Sequence, residues 1–126
     1  MKAAGRGAAV VGGGLLLIAV NVFLGEAAGG AEGRVNPEAG KKIYLESCQN
    51  CHGPTGKGDG DMAAYLTPPP ANLTARATQE KTDVQLRKII LEGRPGTAMT
   101  GYEGAFEEPQ LSDLIAYIRS LKQQAE

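Results

Sequence analysis

The chain contains the stretch Cys48-Gln49-Asn50-Cys51-His52, which restricts its fold and chemistry more than any other segment. Two cysteines three positions apart lie on one face of a helical turn, so both thiols can reach one edge of a flat ligand. The pattern C-x-x-C-H is the attachment site of a c-type haem, and the histidine that follows can bind the iron. These are the only two cysteines and the only histidine of the chain. The motif predicts one covalent haem c held by Cys48 and Cys51, with His52 as a ligand of the iron.

Other uses of these residues fit the sequence less well. A thioredoxin-type redox pair needs a βαβ context, and no strand-like alternation surrounds the motif. A structural zinc site needs four ligands, usually Cys or His, and the chain offers three. A structural disulfide between Cys48 and Cys51 stays open as an alternative, although it would give His52 no role.

Residues 1–31 form a separate element from residues 32–126, which we take as the haem domain. Lys2 and Arg6 precede an apolar run of 17 residues at 8–24, and a small-residue run follows it. This arrangement is typical of a signal peptide or a signal-anchor helix. We expect an uncleaved helix that anchors the domain on the periplasmic side of a bacterial inner membrane. The alternative is a soluble periplasmic protein after signal cleavage.

The charge of the haem domain argues against nucleic acid as a partner. Without Lys2, Arg6 and Glu26, 11 basic and 13 acidic residues remain of the chain's 13 and 14. A nucleic-acid-binding domain usually carries a basic footprint instead. The domain is also small and has no tryptophan. We therefore expect the haem to supply apolar bulk, and the chain not to fold without it.

Three amphipathic segments predict an all-α fold, with loops between them. The first runs over about 37–48, with Asn36 as its cap, and the second over about 83–91, with a Thr82–Gln85 capping box and Gly93 at its end. The third runs over about 109–122. The residues expected to face inward on the three segments are Ile43 and Tyr44, then Val84, Leu86, Ile89 and Ile90, then Leu111, Leu114, Ile115, Ile118 and Leu121.

The second axial ligand of the iron has to come from elsewhere, because there is no second histidine. Met99 lies between the second and third segments, where a loop can reach the side of the haem opposite His52. Met62 follows His52 by only ten residues and is better explained as a gap-filling core residue. We predict His52 and Met99 as the axial pair, which is the electron-transfer pattern.

From about residue 36 to 121 the sequence resembles the class I, single-haem bacterial cytochromes c. The resemblance is carried by six segments, which appear in the order typical of the family: Gly40 with Tyr44, 48–53, 56–60, Leu66 with 68–70 and 72–74, 95–99, and 116–119. In this family a proline usually follows the ligand methionine, whereas this chain has Thr100.

The resemblance implies a class I cytochrome c fold, with three main helices and loops wrapped around one covalent haem, here preceded by the N-terminal apolar helix. It implies that the first and last helices cross near Gly40, Tyr44 and Tyr117. It also implies that the loop at 56–60 lies under the haem, and that the Pro54 carbonyl accepts a hydrogen bond from His52.

The function that follows is one-electron transfer, not enzyme catalysis. The protein would be a carrier, or a cytochrome subunit of a respiratory or photosynthetic chain. Its partners would be redox proteins, such as a membrane electron-transfer complex. The alternatives are a peroxidase or gas-binding haem protein with a displaceable sixth ligand, and a structural subunit.

Overall fold

The computed structural model describes residues 33–122, and the predicted N-terminal helix lies outside them. The secondary structure of these residues is helical, and the only β pairing among them is an isolated bridge between Gly93 and Thr100. Within the same range, no helix is both long and apolar enough to cross a bilayer. The helices are α1 Pro37–Ser47, α2 Gln49–His52, α3 Arg76–Gln79, α4 Asp83–Glu92 and α5 Glu108–Ser120, with a 3₁₀ turn at Ala63–Tyr65.

The ends of the long helices follow from local hydrogen bonds. The Asn36 side chain accepts hydrogen bonds from two backbone N–H groups at the start of α1. Thr82 and Gln85 form the predicted capping box of α4, and α4 ends at Gly93. Glu107 forms a similar box at the start of α5. Each bond satisfies a donor that the helix itself leaves unpaired.

The prediction that everything between the three long helices is loop was wrong in three places. Helix α2 begins directly after Cys48, and α3 and the 3₁₀ turn interrupt the long connection to α4. These pieces have three or four residues each. A single turn is too short to produce a periodic apolar pattern, so the sequence gives no signal for it.

Helices α1 and α5 cross in direct backbone contact. A Cβ atom built on Gly40 would lie 1.9 Å from the backbone oxygen of Asp113, so only glycine fits there. Beside this point the rings of Tyr44 and Tyr117 pack at a centroid distance of 5.1 Å and an angle of 57°. The predicted crossing is confirmed, and it forms the centre of the core on one side of the site.

The hydrophobic core lies mainly on α1, α4 and α5. Its buried members are Tyr44, Leu86, Ile90, Leu111, Leu114, Ile115, Tyr117, Ile118 and Leu121. The prediction that Val84 faces inward was wrong, because its side chain is 74% exposed. Leu86 and Ile90 are four residues apart and share the buried face of α4. Val84 precedes Leu86 by two residues, about 200° around the helix, and so lies on the opposite face.

Candidate haem site

The motif lies where α1 gives way to α2. Cys48 is the residue between the two helices, and its backbone N–H donates to the Tyr44 carbonyl at 2.8 Å. Cys51 and His52 occupy the last two positions of α2. All three side chains are partly buried, and both cysteines are free. The structure therefore places two thiols and an imidazole together without the disulfide that the sequence left open.

Two adjoining clefts share Cys48, His52 and Met99 among their lining residues. The first cleft is completed by Ser47, Cys51, Leu66, Pro68, Pro70, Thr97, Ala98, Thr100 and Tyr102. The second is completed by Ala71, Leu73, Thr78, Lys81, Leu86, Ile89, Ile90, Arg94 and Ile118. The structure thus brings all four predicted site residues to one apolar region, and Pro68 and Pro70 form part of its wall.

The orientation of His52 depends on Ala71 and not on Pro54. The Nδ1 atom of His52 lies 2.9 Å from the carbonyl oxygen of Ala71. The expectation that Pro54 supplies this carbonyl was wrong, because the Ala71 segment returns along the second cleft and Pro54 lines neither cleft. A carbonyl can only accept, so Nδ1 carries the hydrogen and Nε2 keeps a lone pair for a metal.

Burial determines the charge of this imidazole. Burial lowers the pKa of His52 below its ordinary value, and the hydrogen bond to Ala71 opposes that shift in part. The imidazole is therefore neutral at neutral pH, which is the form that binds a metal. The hydrogen bond and the lowered pKa together leave His52 in the form that an iron ligand requires.

The glycine-rich loop at 53–60 supports α2 from outside the clefts. The Gly60 backbone N–H donates to the Cys51 carbonyl at 3.1 Å, and a Cβ at Gly60 would lie 2.3 Å from the Asn50 carbonyl oxygen. The Tyr44 hydroxyl donates to the Gly53 carbonyl at 2.6 Å. No residue of the loop lines either cleft, and the expectation that 56–60 lies under the haem stays a prediction. Its contacts hold α2, and through α2 they hold Cys51 and His52.

Met99 is held by a loop with several anchors. The Arg94 backbone N–H donates to the Met99 carbonyl at 3.0 Å, next to the bridge between Gly93 and Thr100. A Cβ on Gly101 would lie 2.2 Å from the Leu91 carbonyl oxygen, so the loop and the end of α4 meet backbone to backbone. This contact supplies the stiffness that a proline after the methionine would otherwise provide.

A second anchor joins this loop to the motif. The Tyr102 hydroxyl donates to the Ser47 carbonyl at 2.7 Å, one residue before Cys48. The Tyr102 ring also stacks on Phe106 at a centroid distance of 5.3 Å. Sequence reasoning missed Tyr102 and Ala71. The Ala71 contact uses a backbone carbonyl, which has no signature in the sequence, but the position of an aromatic three residues after Met99 was a usable signal.

Met62 does not compete for the site. Its side chain is 44% exposed and lines neither cleft. The prediction that Met62 fills a gap in the core was therefore also wrong. The 3₁₀ turn that follows it lies beside α2 and leaves the Met62 side chain at the surface.

The donor set fits haem c. Two thiols, an imidazole and a thioether lie among apolar walls, and Lys81 and Arg94 line the second cleft, where they would be available to the carboxylates of a haem. Burial, followed by the neighbouring Cys51, raises the pKa of the Cys48 thiol to about 11. The thiol is then neutral at pH 7, as an apolar cleft requires. The haem, when bound, supplies an iron that cycles between Fe(II) and Fe(III).

Known proteins resemble the described domain. Cytochrome c-554(547) of Halothiobacillus neapolitanus is 33% identical over 86 residues, covering 67% of this chain and 94% of that protein. The cbb3-type cytochrome c oxidase subunit FixP of Bradyrhizobium diazoefficiens is 34% identical over 83 residues, 65% of this chain. The dihydro-heme d1 dehydrogenase of Pseudomonas aeruginosa is 29% identical over 89 residues, 71% of this chain. The matched regions make up only 26% of FixP and 16% of the dehydrogenase.

A solved structure gives the same result at the level of the fold. A chain of the reducing HAO-like protein complex of Kuenenia stuttgartiensis superposes with a TM-score of 0.60 at 27% sequence identity, covering 70% of this chain and 43% of that one. The Cytochrome c family profile matches residues 37–122. The chain therefore belongs to the cytochrome c family, as a class I single-haem member that binds haem c covalently at its C-x-x-C-H motif.

Proposed function

We propose that this cytochrome c transfers single electrons through a haem whose iron is bound by His52 and Met99. The observation that carries the proposal is that Met99 lines both clefts together with His52, while Met62 lines neither. A histidine and a methionine are the axial pair typical of electron-transfer cytochromes c. Both ligands would stay bound in the two oxidation states.

The surrounding residues support this role by limiting movement. The Ala71 carbonyl fixes the His52 ring, and the end of α4 fixes the loop that carries Met99. Apolar side chains such as Leu73 and Ile89 line the second cleft and exclude water. A fixed, dry site needs little rearrangement when its charge changes, which favours fast electron transfer.

We also propose that the protein is a carrier, or a cytochrome subunit, of a respiratory or photosynthetic electron-transfer chain. Two similar proteins support these roles. Cytochrome c-554(547) matches this chain along 94% of its own length, and FixP is named as an oxidase subunit. The periplasmic side of a bacterial inner membrane remains our proposed location, with residues 1–31 as the anchor. N-terminal sequencing of the membrane and soluble fractions tests it, and a soluble chain that starts near residue 31 would contradict the anchor.

The axial pair is tested by two matched variants, Met99→Ala and Met62→Ala. We expect Met99→Ala to abolish the weak near-infrared band of sulfur–iron ligation and to lower the reduction potential. Met62→Ala should keep both, because Met62 is exposed and lies outside the clefts. Loss of the band in Met62→Ala, with its retention in Met99→Ala, would contradict the proposed ligation.

The same proteins test the peroxidase and gas-binding alternatives. Apart from His52, the lining residues of the first cleft include no group suited to acid–base catalysis near neutral pH, which a peroxidase would use. We expect the reduced native protein to bind carbon monoxide poorly and Met99→Ala to bind it readily. Rapid binding by the native protein would favour an open sixth position instead.

A further inference from the structure

The charged residues of the domain avoid one part of its surface. Residues 33–122 contain 11 basic and 11 acidic side chains. Three segments of this range, 47–56, 62–75 and 95–102, contain no Asp, Glu, Lys or Arg. Together they comprise 32 residues, which would carry about eight charges at the usual frequency of roughly one in four. We call these three segments the uncharged rim.

The uncharged rim surrounds the first cleft. Every residue that lines this cleft belongs to one of the three segments. The charged residues that line the other half of the site, Lys81 and Arg94, both belong to the second cleft. The absence of charge therefore coincides with one face of the haem site and is not spread over the domain.

The uncharged rim also carries an exposed aromatic side chain. Tyr65 is 80% exposed, and it directly precedes Leu66, which lines the first cleft. Pro68 and Ala98 line the same cleft and are exposed. Tyrosine is enriched at protein interfaces, where its ring buries a large area and its hydroxyl stays polar. An exposed tyrosine beside an electron-transfer site has the properties of an anchor for a partner.

We propose that the uncharged rim is the docking face for a redox protein whose own contact face is uncharged and apolar, with Tyr65 as the anchor. This inference rests on the proposed electron-transfer function. A charged group on the partner would lose its water against the uncharged rim and gain no counter-ion, which is costly. Matching of charge therefore selects an uncharged partner surface. Contact through such a face gives a transient complex whose rate depends little on salt.

The first test uses hexacyanoferrate(III), a small anionic oxidant, with the reduced holoprotein. Tyr65→Lys and Val84→Lys add the same charge at positions that are 80% and 74% exposed, but Val84 lies outside the uncharged rim and lines neither cleft. At an ionic strength of about 0.1 M, screening confines the effect of a new charge to about 10 Å. We expect Tyr65→Lys to raise the oxidation rate constant at least about threefold under these conditions, and Val84→Lys to leave it at the native value.

The second test uses another copy of the protein as the partner, because a second copy presents the same uncharged and apolar face. Electron self-exchange between oxidised and reduced protein is measured by NMR line broadening. We expect the native rate to change less than about twofold between low and high salt, as expected for contact without charge. Tyr65→Ala should slow self-exchange several-fold, whereas Val84→Ala should not.

The outcomes separate this proposal from the function on which it rests. Equal rates for the Tyr65 and Val84 variants in both tests, with the sulfur–iron band intact, would overturn the docking face and leave the electron-transfer function standing. A strong salt dependence of the native self-exchange rate would also overturn the docking face. Failure of the native holoprotein to exchange electrons in either test would overturn the proposed function, and the docking face with it.

Discussion

At the scale of single residues, the site is fixed by backbone carbonyls that accept from side chains. Ala71 accepts from His52, Gly53 accepts from Tyr44, and Ser47 accepts from Tyr102. The bonds join residues that are 19, 9 and 55 positions apart in sequence, and each has one partner in or next to the motif. Since carbonyl positions are set by the path of the chain, these contacts let the fold position the motif and the loop that carries Met99.

Tyr44→Phe tests the most buried of these bonds. The Tyr44 side chain has no exposed surface, and the variant would leave the Gly53 carbonyl without its phenol donor. We expect a loss of about 1–3 kcal/mol in the free energy of unfolding near pH 7, the usual cost of an unsatisfied buried group. Chemical denaturation of the holoprotein measures it. Tyr65→Phe, which removes an exposed hydroxyl, is the control and should change little.

The effect of Tyr44→Phe on the free energy of unfolding should also depend on pH, in a direction that the pKa of Tyr44 defines. Burial, as the main cause, raises the pKa of Tyr44 above its ordinary value near 10. A group whose pKa is higher in the folded state than in the unfolded state stabilises the fold fully at pH values below its unfolded pKa. This stabilisation is lost as the pH rises from the unfolded pKa through the folded pKa. The difference in stability between the native protein and Tyr44→Phe should therefore narrow above about pH 10. A difference that stays constant or grows with alkaline pH would contradict the assignment.

At the scale of elements, the α1–α5 crossing and the end of α4 position the two sides of the site. The crossing holds α1, whose end leads into Cys48. Gly93 closes α4 with a φ of 75°, and the loop that carries Met99 packs against that end. His52 and Met99, the proposed axial ligands, therefore depend on different helices, and Tyr102 joins the two sides by its bond to Ser47.

Gly40→Ala tests the crossing. In an isolated helix this change is favourable by about 1 kcal/mol, because glycine is the poorer helix former. Here the added Cβ would meet the Asp113 backbone, which no rotamer change can relieve. We expect a net loss of about 1–3 kcal/mol in the free energy of unfolding, the usual range for overpacking. An absorption spectrum that stays native would exclude a weakened haem environment as the cause of this loss.

The control for this prediction is Lys41→Ala, because Lys41 is the next residue of α1 and is exposed. It should leave stability within about 0.5 kcal/mol, as surface substitutions usually do. If Gly40→Ala proved as stable as the native protein, the two helices would have to be further apart than the structure shows.

At the scale of the whole molecule, the haem completes the hydrophobic core. The walls of the second cleft include Leu86, Ile90 and Ile118, which also belong to the buried core. Without a haem this shared wall would face a cleft open to water. A domain of this size buries too little apolar surface to tolerate such a loss easily.

We therefore expect the chain produced without haem attachment to be largely unfolded. Far-ultraviolet circular dichroism should show much less helix than the holoprotein, and thermal melting should lack a cooperative transition. The holoprotein from the same expression system, with attachment restored, is the control. A haem-free chain with native helix content and a cooperative melt would show that the α1–α5 core is sufficient by itself.

The chemistry of the attachment motif and the ends of the long helices could be predicted from the amino-acid sequence alone. The spacing of Cys48, Cys51 and His52 is a local property, and so are the caps at Asn36 and Thr82. Local patterns also identified the stripe on α5, whose five predicted positions are all buried or form part of the core. Short-range rules are sufficient here because the interacting groups lie within a few residues of one another.

Contacts between residues distant in sequence could not be predicted in this way and became known from the three-dimensional fold. The hydrogen-bond partner of His52 is Ala71 and not the expected Pro54. Val84 and Met62 lie at the surface, and the loop at 56–60 lies outside the clefts. The fold also showed that three uncharged segments, separate in sequence, surround one cleft. The physical reason is that a backbone carbonyl has no signature in the sequence, and that the burial of a side chain depends on what the rest of the fold packs against it.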